Sequence, residues 1–302
     1  MFQRRNFLRL FGTSLALSTC PFPISPTAKG IEPFARTRPG QMRLSLAAYS
    51  LRKYLAPRDN TKKMDLFDFV DFCFDHGIPG AELTSYYFPE DLDRDYLLKL
   101  KRHCHMKGIT ISGGAIRNDY CSNNESNVER DIEHTKQWID HYAVLGAPAI
   151  RIFAGNAVKD EDLSVTLKRC ALNCEKACRY AEQKGIMLAL ENHGGVTAKA
   201  EGLLEIVQQV NSLAFGVNFD SGNFRSSTDP YAELAMIAPY AVNAQIKVDI
   251  YADGKHQPTD LARVLTVLRE AGYSGWVALE YEAQEEPLVA IPRYLNQLKH
   301  LM

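Results

Sequence analysis

The sequence predicts an α/β protein, and within that class a (β/α)8 TIM barrel. Three observations carry the prediction. From residue 42 onward, short apolar runs alternate with longer amphipathic stretches, eight times over about 260 residues, the usual size of such a barrel. Several amphipathic stretches close on a glycine, at Gly77, Gly108, Gly146, Gly185 and Gly272, where a helix turns back toward the next strand. The rival fold, a doubly wound open sheet, wants a glycine-rich phosphate turn after its first strand, and "AAYSLRKYL" offers none.

The first forty residues stand apart from the repeat. "QRRNFLRLFGTSLALSTC" sets Arg4 and Arg5 before an apolar run through Leu17, too short to span a bilayer comfortably and basic in its flank, as in an export signal. It resembles a twin-arginine signal, which exports folded proteins. The expectation is a periplasmic protein with no transmembrane segment in its mature form. Cys20 is a candidate lipid anchor, although Thr19 is an unusual residue before a lipoprotein cysteine. Residues 21–40 hold five prolines and read as a linker, leaving 41–302 as the barrel domain.

The eight apolar runs are "RLSLAAYS" (43–50), "GAELT" (80–84), "ITISGGA" (109–115), "AIRIFAG" (149–155), "MLALEN" (187–192), "FGVNFD" (215–220), "VNAQIKV" (242–248) and "WVALEYE" (276–282). Between them lie helical patterns such as "KKMDLFDFVDFCFDHG", "DYLLKLKRHCHMKG", "DLARVLTVLREAG" and a long one over 125–146. Cys170, Cys174 and Cys178 recur every four residues in "LKRCALNCEKACRYAEQKG", so they share a helix face and suit core packing. No CxxC pair or Cys/His metal spacing occurs. The chain is 46% hydrophobic and 24% charged with a formal net charge of −1, which gives no basic footprint for nucleic acid.

In a barrel of this kind the active site lies at the C-terminal ends of the strands, and residues two apart share a face. Leu188, Leu190, Val217, Phe219, Ala244, Ile246, Val277 and Leu279 then face the helices. The opposite faces end in polar groups: Glu191 and His193 on strand five, Asn218 and Asp220 on six, Asn243, Gln245 and Lys247 on seven, Glu280 on eight. Glu191, Asp220, Gln245 and Glu280 should converge. Three carboxylates in one partly buried place repel one another, and two remedies are open. One divalent ion, Mn²⁺ or Mg²⁺ for an all-oxygen set, is the first. Ion pairs with Lys247 or Arg151, charged residues set inside strands, are the second.

His193 can reach over the rim while Gly194 and Gly195 turn the chain away. Arg151 and Lys247 can clamp a hydroxyl or oxyanion. Glu82 is an in-strand acid near the mouth, and Tyr86 and Tyr87 follow it as pocket walls or rim cover. His256, in "YADGKHQPTD", is a weaker candidate placed in a loop, and the remaining histidines fall in helices or the tail as surface residues.

The segments "LALENHGG", "FGVNFDSGNF", "AQIKVDI" and "GYSGWVALEYE" together resemble the xylose isomerase-like superfamily of sugar (phosphate) isomerases and epimerases. The resemblance spans residue 42 to about 300. It implies a metal site at Glu191, Asp220, Gln245 and Glu280, with Gln245 where a His is usual and Asn223 where a second His commonly follows the aspartate. Asn218, Asn223, His193, Lys247, Arg151 and Glu82 are the candidate substrate contacts. The apurinic endonucleases of the same superfamily need several strand-end histidines, and here only His193 stands at one.

The implied activity is metal-dependent isomerisation or epimerisation of a keto-sugar through an enediolate, with Glu191 and Glu280 as the acid/base pair. Two alternatives stay open: a lyase or dehydratase on a 3-keto-sugar or keto-inositol, and a carbohydrate-binding barrel without chemistry. The partner in each case is a small carbohydrate, and a homo-oligomer is compatible with the sequence.

Overall fold

The computed structural model describes residues 30–37, 40–56 and 63–302. The twin-arginine segment and Cys20 lie outside them.

Ten strands and nine α-helices are described. The strands are β1 (Met42–Ala47), β2 (Gly80–Thr84), β3 (Thr110–Ala115), β4 (Ala149–Ile152), β5 (Met187–Glu191), β6 (Phe215–Asp220), β7 (Ala241–Ile246), β8 (Asp249–Ala252), β9 (Lys255–Pro258) and β10 (Gly275–Leu279). The helices are α1 (Arg52–Leu55), α2 (Leu66–Asp75), α3 (Arg94–Met106), α4 (Glu125–Leu145), α5 (Leu163–Lys184), α6 (Ala200–Val207), α7 (Pro230–Ile237), α8 (Leu261–Glu270) and α9 (Pro287–Leu301). Eight strands close a parallel barrel in the order β1-β10-β7-β6-β5-β4-β3-β2. These are the eight runs read from the sequence.

Side-chain chemistry sets the helix ends. Asp65 accepts from the Phe67 and Asp68 amides while Asp68 reaches back to the Asp65 amide, a reciprocal cap that satisfies free N–H groups at the start of α2. Asn124, Asp162 and Asp260 cap α4, α5 and α8 in the simpler way. Gly146 and Gly185 end α4 and α5 at φ +85° and +68°, a left-handed conformation that costs other residues energy.

The faces read as helix-facing are all fully buried, Leu188 through Leu279 alike. Cys170, Cys174 and Cys178 are buried along α5, and every described cysteine is a free thiol. Close approach shapes the wall too: a Cβ at Gly114 would come within 2.2 Å of the Tyr142 ring, whose hydroxyl donates to the Leu83 carbonyl.

One segment departs from the reading. In place of a loop at "YADGKHQPTD", Asp249–Ala252 and Lys255–Pro258 pair antiparallel as the hairpin β8–β9. Asp253 (φ +51°) and Gly254 (φ +68°) form its turn, the residue pair that favours such hairpins.

Candidate active site

Below the mouth, the barrel interior is closed by a ring of uncharged amides around one acid. Glu82, fully buried on β2, accepts from Asn243 Nδ2 at 2.7 Å and from Gln245 Nε2 at 2.5 Å. Asn243 Nδ2 also donates to Asn218 Oδ1, and Asn218 Nδ2 donates to Gln245 Oε1 at 2.6 Å, which completes the ring. Burial pushes the Glu82 carboxyl up to about 7, against the pull of its amide donors. Glu82, Asn218 and Gln245 are therefore corrected from mouth residues to inner ones. Gln245 has both ends of its amide engaged in the ring, on Asn218 and Glu82.

Replacing Glu82 by Gln sets an NH₂ group against an N–H donor of the ring and leaves one buried donor without an acceptor. Glu82→Gln is expected to lower stability by about 1–3 kcal/mol, read from urea unfolding. An unchanged midpoint would mean that the amides can rotate to absorb the change.

Above the ring, the strand ends carry the charges. Glu191 ends β5, Asp220 ends β6, Lys247 follows β7 and Glu280 follows β10, its amide still bonded to the Ile246 carbonyl. Asn192 ties two of these ends together, donating to the Asp220 carbonyl and accepting the Asp220 amide. The Lys247 ammonium lies 3.1 Å from Asp220 Oδ2, 3.3 Å from Glu280 Oε2, 3.0 Å from Glu282 Oε1 and 3.1 Å from Asn223 Oδ1. Arg151 Nε lies 2.8 Å from Glu191 Oε2, and its Nη1 donates to the Ile116 carbonyl. Asn223 links the two cation centres, since its Nδ2 donates to Glu191 Oε1 at 2.8 Å.

Electrostatics follow from this placement. Burial raises Glu191 and Glu280 above the ordinary carboxylate range, with Arg151 and Lys247 respectively pulling the other way. Asp220 is pushed up to about 6 by burial, against Lys247. For Lys247 burial opposes the charge, but Asp220, Glu280, Glu282 and Glu191 outweigh it. Its amine is held well above its usual value, so it stays an ammonium and not a nucleophile.

Glu191, Glu280, Lys247 and Arg151 face one cavity of about 930 Å³, together with His193. His193 stands exposed on its rim, its ring 4.2 Å from that of Phe153. Burial of the ring against its neighbours, then the cations Arg151 and Lys247, lower its imidazole to about 4, so it is neutral. Gly194 and Gly195 turn the chain behind it at φ +81° and +53°, and a Cβ at Gly195 would strike the Gly155 carbonyl at 2.2 Å. Asn223 is buried beneath the cavity as a bridge.

Several lining residues escape a reading of the sequence. Glu282 shares the parity of Glu280 and is legible in "LEYE". Arg117 lies over the Tyr86 ring at 5.2 Å, Arg225 over Tyr251 at 5.5 Å, and neither carries a pattern that marks it. His134, expected on the surface, lines the mouth from α4. Tyr86 lines it as well, whereas Tyr87 borders an adjoining cavity. His256 pairs with Asp249 at 3.2 Å in the hairpin, outside the cavity.

A family model described as the xylose isomerase-like TIM barrel matches residues 66–298. The chain belongs to that family. No curated protein matches the sequence. Among solved structures, the barrel is similar to L-ribulose 3-epimerase at 17% identity, covering 86% of this chain and 94% of that one, TM-score 0.68. It is similar to 3-keto-D-glucoside 4-epimerase from E. coli at 12% identity, covering 86% and 100%, TM-score 0.65. The IolI protein, solved with a zinc atom, is similar at 18% identity, covering 86% and 96%, TM-score 0.68. These similar barrels thus include sugar epimerases and a metal-bound protein.

The donor set of this chain does not fit a divalent ion as arranged. A metal centred on Glu191, Asp220 and Glu280 would meet the Lys247 ammonium among them, and the Gln245 oxygen is turned to Asn218. Among the described residues, no group of three or more His, Cys, Asp or Glu is placed to hold a metal ion. Lys247 and Arg151 pair with the converging acids, while Asp220 Oδ2 has no hydrogen-bond partner among the described residues.

Proposed function

We propose that this protein isomerises or epimerises a keto-sugar or a closely related carbohydrate through an enediolate. One observation carries the reading: Glu191 and Glu280, two buried carboxylates from strands β5 and β10, face one cavity with Arg151 and Lys247 beside them. Three steps around the barrel separate those strands, so the acids can act from different sides of a bound sugar. The epimerases among its structural neighbours support the same reaction class.

One glutamate takes the proton from the carbon next to the carbonyl. The C–H electron pair becomes the enediolate double bond, and the carbonyl oxygen takes the charge. Lys247 and Arg151 hold that oxygen, where fixed cations stabilise developing charge better than water does. The other glutamate returns a proton to the opposite face, giving an epimer, or to the neighbouring carbon, giving an isomer. A raised carboxyl suits the task, because a stronger base removes a carbon-bound proton more readily. The Arg4–Arg5 segment supports an exported, periplasmic working place.

The test is solvent deuterium uptake by NMR over a panel of keto-sugars. Loss of the α-proton signal with a new epimer or isomer is the expected result. Uptake followed by an unsaturated product would move the assignment to a lyase. No uptake from any keto-sugar by the folded protein would leave a binding barrel.

A further inference from the structure

We propose that the Lys247 ammonium is the resident cation of this site, standing where a divalent ion would sit, and that the barrel works without a metal. The mechanistic half of this proposal rests on the isomerase reading above; the metal half stands on geometry alone.

Four oxygens surround the nitrogen at 3.0–3.3 Å, three of them from carboxylates on or just beyond β6 and β10. That is the reach of charge-assisted N–H···O bonds, whereas an ion such as Mg²⁺ draws its oxygens in to about 2.1 Å. An ammonium has three N–H groups for these four oxygens, and Asp220 Oδ2 is left with an ion pair and no hydrogen bond among the described residues. The fourth oxygen, Asn223 Oδ1, belongs to an amide whose other end is fixed on Glu191, so the ammonium centre and the Arg151–Glu191 pair form one network.

The lysine is also held from below. Its backbone amide donates to Ser221 Oγ at 2.8 Å, and its stem crosses the backbone of Gly222. A Cβ at Gly222 would lie 2.8 Å from Lys247 Cδ and 2.9 Å from its Cβ. The Asp249 carbonyl would lie 2.9 Å from the same Cβ, so a glycine there fits the lysine stem and the neighbouring backbone alike. Gln245, which the resemblance would make a metal ligand, instead bonds through both amide atoms to Glu82 and Asn218. One ligand is withdrawn and one cation is supplied.

With the sugar bound, the ammonium would serve the role of an ion that polarises the carbonyl, with the difference that a single positive charge stabilises the enediolate less than two. Arg151, next to Glu191, supplies the second.

The experiment reads metal content and needs no substrate. The wild-type protein is incubated with Mn²⁺ alone, passed through gel filtration and analysed by elemental analysis, and its melting temperature is followed with Mn²⁺ and with EDTA. The expected wild type retains far less than one ion per chain and melts at the same temperature in both. Lys247→Met, which keeps the length and removes the charge, leaves three acids without a cation and is expected to gain Mn²⁺-dependent stabilisation. Stoichiometric Mn²⁺ in the wild type, or a melting temperature lowered by EDTA, would overturn the proposal. So would a folded Lys247→Met protein with no greater response to Mn²⁺ than the wild type. If that variant does not fold, the wild-type measurement decides by itself. A metal-binding wild type would leave the isomerase reading intact, and a failed deuterium assay would leave the resident ammonium intact.

Discussion

Glu191→Gln and Glu280→Gln each lower turnover by about 10²-fold or more, the scale of a lost acid/base group. Each change keeps the shape of the side chain and an oxygen acceptor: the amide introduced at position 191 can still accept from Asn223, and the one at position 280 from Lys247. What it removes is the ability to take or give a proton. The two variants are expected to differ in kind. With acids on different sides of the sugar, one variant keeps exchanging the α-proton with deuterium while making no product, and the other loses exchange entirely. The one that loses exchange identifies the first base. If both variants turn over a confirmed substrate near the wild-type rate, the carboxylates serve the cations alone.

Arg151→Met gives the largest expected loss of stability. Arg151 and Glu191 are 5% and 2% exposed, and removing one partner of a buried ion pair costs roughly 3–5 kcal/mol, because the other charge stays behind. The pH dependence gives a second readout. Burial raises the Glu191 carboxyl and Arg151 is the main influence holding it down, so loss of the arginine raises that carboxyl further. An acid raised in the folded state contributes stability fully below its unfolded value and loses it as pH rises through its folded value. The deficit of the variant relative to wild type should thus be smaller near about pH 5 and larger near about pH 8, seen as diverging urea midpoints. A deficit that does not change with pH would mean that Glu191 finds another cation.

The eight barrel strands and the helix-facing residues are legible in the sequence because period-two alternation records which side chains meet the helices. The same parity brings Glu191, Asp220, Lys247 and Glu280 to one end. Depth is not legible. Gln245 and Lys247 share a face, yet the amide of Gln245 closes on Glu82 and Asn218 inside the barrel, while Lys247, two residues nearer the strand end, reaches the acids of the mouth. The depth of Glu82 is hidden for the same reason: β2 ends two residues after it, so its acid sits below the rim. Arg117, Arg225 and His134 come from loops and a helix, where no periodicity points toward the cavity. The β8–β9 hairpin is signalled by the Asp-Gly pair in "YADGK", but the polar residues around it mask the strands.

The crossing of Lys247 over Gly222 extends to the start of β8. A side chain at position 222 would strike both the lysine stem and the Asp249 carbonyl at the start of β8, so the glycine, earlier in the sequence, fits the lysine and the hairpin together. The two positions thereby constrain each other sterically. Removing the lysine would not free position 222, because the Asp249 carbonyl and the Cβ of any residue at 247 would still stand in the way.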